Sequence, residues 1–139
     1  MSAAVLDTNV VVSGIGWRGD SRRVLGLLAR RAFISVRSPY LTFEWSRVVE
    51  ELATEPDWPN PNWGQWLNWI KRKSRLVEDP HEKSIVRRDL KDNPILAAAI
   101  ANQADFLVTQ DSHFLALRKP YGAVCLAPRE FLRAILSKP

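Results

Sequence analysis

The chain has 139 residues, 46% of them hydrophobic and an ordinary 25% charged, which supplies one proper core, and its six tryptophans and alanine-rich run argue against disorder. A single cysteine, Cys125, excludes an internal disulfide and any cysteine metal cage, and its setting in GAVCLAP reads as a small buried core residue rather than a nucleophile. The net charge of +5 and the pI of about 9.8 favour a polyanionic partner.

Residues 1–139 are expected to form a single domain. No apolar run approaches the roughly 20 residues of a membrane span, and no signal-peptide layout opens the chain. A cytoplasmic location without a membrane partner is therefore expected.

In chain order, AAVLD reads as a short strand over residues 3 to 6 that ends in an acid, Asp7. DTNVVVSG carries it into a loop or helix start, where Thr8 and Asn9 bond locally or orient Asp7. Gly14, Gly16 and Gly19 loosen the backbone beyond, without forming a GxGxxG phosphate loop. Asp20 and Ser21 make an N-cap pair for a helix to about Ala32, with Val24, Leu25, Leu27 and Leu28 inside and the arginines outside; Gly26 weakens it. FISVR is a second strand, and Ser38-Pro39 leads into a helix from about Tyr40 to Ala53. Its stripe of Leu41, Trp45, Val48, Val49 and Leu52 faces a core, and Glu44 sits at the edge of that stripe. A half-buried carboxylate there needs a metal ion or an arginine as partner, the plain alternative being a solvated flank residue.

Thr54 to Asn62, dense in proline and asparagine, reads as a hinge or the start of an insertion. The tryptophan-rich segment 57–75 follows as a helix with Trp63, Trp66 and Trp69 beside Leu67 and Ile70. Such a face is either core or a dimer or partner surface. Base stacking is a third reading, weakened because no basic residue interleaves these rings before Lys71. RLVED offers another short strand, and 79–93 an exposed charged loop with His81 facing solvent.

The stretch from Arg88 to Leu117 reads helix, strand, helix. Asp89, Asp92, Asn93 and Pro94 form a helix start ahead of the apolar run Ile95 to Ala101, and ADFLVT is a buried strand ending at Gln110-Asp111. Ligands of open α/β sheets collect beyond the carboxyl ends of the strands, so Asp111 is placed to touch one. Two strand-end aspartates and one helix-start aspartate suggest a cation. Ser112 caps a short helix through Phe114 and Leu117, and His113 either lines the site or lies on the helix surface. AVCLA is a last strand, and Pro128 to Leu136 a terminal helix with Phe131, Leu132 and Ile135 inward. The alternation predicts a three-layer α/β/α fold with a mainly parallel central sheet. Basic clusters at Arg22-Arg23, Arg30-Arg31, Lys71-Arg72-Lys73 with Arg75, and Arg87-Arg88 surround an acidic candidate site, a layout suited to a polyanion whose phosphate meets a carboxylate-held metal.

Taken together, VLDTNV, Glu44 in a following helix, KDNPILAAAIA, ADFLVTQD and APREFL resemble the PIN-domain family, and within it the toxins of bacterial toxin-antitoxin systems, over nearly the whole chain. The resemblance implies a magnesium- or manganese-dependent endoribonuclease in which Asp7, Glu44, Asp92 and Asp111 match the acidic quartet. Asp7, Asp92 and Asp111 would be the metal ligands, and Thr109 matches the family's Thr or Ser two residues before its last acid. Asp89 belongs to the pattern of one PIN subgroup, but the spacing of three residues to Ile95 favours Asp92. The resemblance also implies an RNA substrate, a small antitoxin that covers the site, and a homodimer. His113 departs from the family's usual acid or asparagine, and the tryptophan-rich segment has no counterpart in the pattern. Two rival readings are a non-catalytic RNA- or protein-interaction module, and a receiver-like phosphoacceptor. The latter needs a lysine after the last strand, where LAPREF carries Arg129.

Overall fold

The computed structural model describes residues 1–79, 94–118 and 122–137. Its elements are β1 (Ala3–Leu6), α1 (Thr8–Gly16), α2 (Asp20–Ala29), β2 (Ile34–Arg37), α3 (Pro39–Leu52), α4 (Trp63–Lys73), β3 (Ser74–Leu76), α5 (Pro94–Ala101), β4 (Phe106–Val108), α6 (Ser112–Leu117), β5 (Val124–Leu126) and α7 (Pro128–Leu136). The strands form one five-stranded sheet in the order β3-β2-β1-β4-β5, every neighbouring pair parallel. With helices against the sheet this is the expected three-layer α/β/α arrangement. β1, β4 and β5 are short and wholly apolar, as suits a parallel sheet covered on both faces, whereas β3 at one edge exposes Arg75 and Leu76.

The strand order places a topological switch point between β1 and β4. The chain leaves β1 towards β2 on one side and arrives at β4 on the other, so a crevice opens beyond the carboxyl ends of these two strands. The register aligns Leu6 with Val108 and Val108 with Leu126. One residue further on, Asp7 N–H donates to Val108 O and Thr109 N–H to Leu126 O, both at 2.9 Å, so Asp7 and Thr109 lie level at the rim.

One buried cluster runs through the molecule, from Leu6, Val10 and Ile15 through Trp45 and Val49 to Leu107 and Phe131. Each fully buried aliphatic side chain in it contributes about 1.5–3 kcal/mol. Phe131 stands edge-on to both Phe33 and Phe106, at 4.9 and 5.5 Å, and so pins α7 to the sheet. Phe131, Leu132 and Ile135 all face inward as the periodicity predicted.

Several local expectations are narrowed or corrected. Of the two readings of DTNVVVSG, the helix start is the one observed: Thr8 opens α1, and Gly14 lies inside it, where a Cβ would come within 2.7 Å of Leu25 Cδ1, so its absence lets α2 close on α1. Gly19, at φ 147°, takes the N-cap position of α2, which puts Asp20 in the first turn instead of at the cap. That helix stops at Ala29 because Arg31 adopts φ 55° and the Arg31 and Ala32 amides close back on Leu28 O and Leu27 O. The proline-rich segment is no free hinge, since Asn60 Nδ2 donates to Ile15 O at 2.9 Å and Trp58 Nε1 to Asn60 O at 2.7 Å. Asp111, not Ser112, caps α6. The expected loop at 79–93, with His81, Asp89 and Asp92, lies outside the described residues apart from Asp79.

Of the tryptophan-rich helix, Leu67 and Ile70 are buried while Trp63, Trp66 and Trp69 are half-buried against the core. Trp66 and Trp69 form one wall of an apolar groove of about 360 Å³ between α4 and α2. Among the described residues no helix is long and apolar enough to cross a membrane.

Candidate active site

Asp7 follows the last residue of β1 and caps α1, so a single residue joins the sheet to the amino end of a helix. Its carboxylate is 6% exposed. Oδ1 accepts from the Thr8 amide at 2.8 Å, while Oδ2 accepts from the Thr109 hydroxyl at 2.7 Å and more loosely from Asn9 Nδ2 at 3.4 Å. A carboxylate offers about four acceptor positions. Three donors therefore leave one open on Oδ1. Burial pushes the Asp7 carboxyl above its ordinary 3.8; the Thr109, Thr8 and Asn9 hydrogen bonds pull it back, and the negative charge of Asp111 adds to the upward shift.

Asp111 is half-buried two residues beyond Thr109. Its amide donates to the Thr109 hydroxyl at 2.9 Å, and its own Oδ1 accepts from the His113 amide at 2.8 Å. Thr109, fully buried, thus accepts from one aspartate's backbone and donates to the other's side chain. Asn9 adds a second tie across the crevice, because its Oδ1 accepts from the Gln110 amide at 3.2 Å. Gln110 in turn links α1 and α2, accepting from the Ser13 hydroxyl at 3.3 Å and donating to Ser21 Oγ at 3.0 Å. These buttressing bonds by Ser13, Ser21 and Gln110 escaped the sequence reading, which carries no local signal for contacts across so long a separation.

The structure brings Asp7, Asp111, Thr8, Asn9 and Thr109 together. Asp92 lies outside the described residues. Glu44 is on α3 and half-buried, and its Oε2 is held by Arg47 at 2.8 Å, one turn along the same helix. That pair supplies the arginine partner which a half-buried carboxylate at this position can take. Among the described residues no three acids, histidines or cysteines gather as a metal site. The neighbouring Trp45 is fully buried, and its indole N–H donates to Leu6 O at 3.1 Å, anchoring α3 to the strand just ahead of Asp7.

The donors at the crevice are all hard oxygens, the class that magnesium and manganese prefer. The Thr8 hydroxyl supports that fit: on the residue next to Asp7, it is buried without a hydrogen-bond partner among the described residues. His113 is exposed, as a helix-surface residue. The Cys125 thiol is buried and pushed up to about 11 by burial, which removes it as a nucleophile at neutral pH.

Solved structures share this fold. The crystal structure of PAE2754 from Pyrobaculum aerophilum superposes with a TM-score of 0.66 at 15% identity, covering 99% of this chain and 91% of that one. VapBC2 from Rickettsia felis, bound to a DNA fragment from their promoter, gives 0.60 at 18% identity, with 90% and 98% covered. At such identities the likeness is one of fold. No curated protein sequence matches the chain. A family model described as PIN domain matches residues 3–113, from the first strand through Asp111, and the chain therefore belongs to the PIN domain family, whose members are typically nucleases.

Proposed function

We propose that the protein is a divalent-metal-dependent endoribonuclease and the toxin of a toxin-antitoxin pair. The observation that carries the reading is the buried Asp7 carboxylate, pushed up by burial and by the charge of Asp111, with one acceptor position left open and the hydroxyl of the next residue, Thr8, unpartnered among the described residues. A cation held by Asp7, Asp92 and Asp111 would relieve both penalties, and when bound it would acidify water and offset charge developing on the attacked phosphate.

The chain's own residues divide the remaining work. Thr109 and Asn9 fix the rotamer of Asp7, and the Thr8 amide holds its other oxygen. Asp111 orients an attacking water and takes its proton as the water oxygen bonds to phosphorus and the phosphodiester P–O bond breaks. Glu44 serves as a further ligand or water orienter once released from Arg47. RNA as substrate, a cognate antitoxin over the site, a homodimer and the single-domain reading of the chain all belong to this proposal through the family pattern.

The test is digestion of transfer, ribosomal and messenger RNA with magnesium or manganese, beside Asp7→Asn, Asp92→Asn and excess chelator. Cleavage should vanish in all three controls. Equal cutting in chelator would end the proposal. One observation favours a second reading, a non-catalytic interaction module: the apolar groove walled by Trp66 and Trp69. Calorimetry with manganese separates the two, since a module would bind no metal at millimolar concentration.

A further inference from the structure

Trp17 and Arg18 follow α1 directly, and both are exposed, Trp17 by 48%. They stand between two cavities. One, of about 450 Å³, reaches from them past Ser13 and Gln110 to Arg129; the other, of about 440 Å³, reaches to Arg22, Asn60 and Trp66. The first cavity opens on the same rim as the acidic crevice, because Gln110 adjoins Asp111 and Arg129 follows β5. Trp17 is no loose surface ring: it packs edge-on against Trp58 at 5.4 Å and 76°, and Trp58 is itself fixed through Asn60 to the last turn of α1. Arg22 lies 4.6 Å over Trp66, with its guanidinium bonded to Gly14 O and Ile15 O. Arg18 has no acidic partner among the described residues. The acid in this region, Asp20, is engaged by Arg129 at 3.2 Å.

From these relations we infer that Trp17 and Arg18 form a single-stranded RNA track leading from the acidic crevice, with Trp17 as a base-stacking platform and Arg18 as a phosphate contact. The inference rests on the nuclease reading above, and it names a substrate subsite of that reading. A rigid aromatic face beside a cation is what unpaired strands recognise, since every base has a π-face and every linkage a charge. A duplex hides those faces. The nine residues of α1 separate Asp7 from Trp17, about 15 Å from one to the other at helical rise, which falls inside a groove engaging ~4–16 nucleotides.

The experiment is fluorescence anisotropy of the full-length protein, in chelator, with a labelled unstructured RNA oligomer of about 8 nucleotides and with a hairpin duplex of the same composition. The proteins are the wild type, Trp17→Ala, Trp17→Phe, Arg18→Ala and a control, Arg133→Ala, exposed in the last turn of α7 and outside the basic clusters. Trp17→Ala should weaken oligomer binding by about 5- to 100-fold and leave hairpin binding unchanged, whereas Trp17→Phe keeps most of the affinity. Arg18→Ala, a change at an exposed position, should weaken it too and lower the salt slope by about one. Oligomer affinities of Trp17→Ala and Arg18→Ala that match the control would overturn the track, as would equal losses on oligomer and hairpin. Cleavage assays with metal on the same variants separate the two claims. A protein that cuts RNA but ignores Trp17 loses only the track, and one that binds through Trp17 but never cuts loses only the nuclease reading.

Discussion

The Thr109 hydroxyl donates to Asp7 Oδ2 at 2.7 Å, joining residues 102 positions apart at the ends of neighbouring strands. The same oxygen accepts the Asp111 amide at 2.9 Å. One hydroxyl therefore sets the rotamer of the first acid and the backbone of the second, and the spacing between the two carboxylates depends on it.

Thr109→Val removes that hydroxyl while keeping the branch. Both partners lie in or beside buried space, so the loss leaves an acceptor and a donor unpaired and should cost about 1–3 kcal/mol in thermal unfolding. Thr109→Ser keeps both bonds and should lose about 1 kcal/mol for the missing methyl. A valine variant as stable as the serine variant would show that the bridge is not holding the site.

Asp7 makes stability depend on pH in an unusual direction for a carboxylate. Its folded pKa lies above the ordinary 3.8, so the folded state binds the proton more tightly than the unfolded chain does. The contribution is fully present below the unfolded value and is lost as pH rises through the folded one. A cation bound at the carboxylate favours its charged form and should therefore offset the burial penalty as pH rises. Manganese at 100 times its Kd should add about 2.7 kcal/mol at neutral pH, seen as a rise in Tm, and little at pH 4. Asp7→Asn should unfold in chelator at or above the wild-type temperature and lose the manganese response; an unchanged response would place the metal elsewhere.

How much of this was legible in the sequence depends on the range of the interaction. Strand-end acids at Asp7 and Asp111 were readable because a parallel sheet delivers them to one rim, whatever lies between. The α1 helix was legible only as one of two readings, a loop or a helix start, since TNVVVSGIG is rich in β-branched residues and glycine, both poor helix formers. Its Val10, Val11, Val12 and Ile15 are buried, so tertiary burial overrides the weak local preference. The α6 cap failed by one residue for a related reason. Ser112 and Asp111 are both good caps, and the strand geometry ending at Val108 decided for the aspartate. The Ser13–Gln110–Ser21 brace had no local signal at all.

Glu44 is held in an i,i+3 pair by Arg47, and Arg47 also reaches Glu51 at 3.3 Å. The guanidinium is pushed above its usual range by the Glu44 hydrogen bond, then by the Glu44 charge. If Glu44 joins the metal site, it must first give up this partner. Arg47→Met, which keeps the aliphatic stem, should then tighten manganese binding by about two- to fivefold in calorimetry. Arg47→Met in the Glu44→Gln background should change nothing. Equal affinities in Arg47→Met and wild type would remove Glu44 from the metal centre.

Trp45 gives the last prediction, because it is the point at which the core holds the site from behind. It is fully buried, and its indole donates to Leu6 O at 3.1 Å, one residue ahead of Asp7. Trp45→Phe leaves that carbonyl without its indole donor and opens a cavity where the second ring stood, for a cost of about 2–4 kcal/mol. For a domain near this size the fall in Tm should be about 2–4 °C per kcal/mol. The carbonyl is peptide-bonded to the Asp7 amide, so relaxation of the strand end should reach the carboxylate. Manganese affinity should fall with stability in Trp45→Phe, whereas Leu132→Ala, an equally core-directed loss on α7, should lower stability alone. Equal metal affinities in the two variants would mean that the rim is set by the sheet and not by α3.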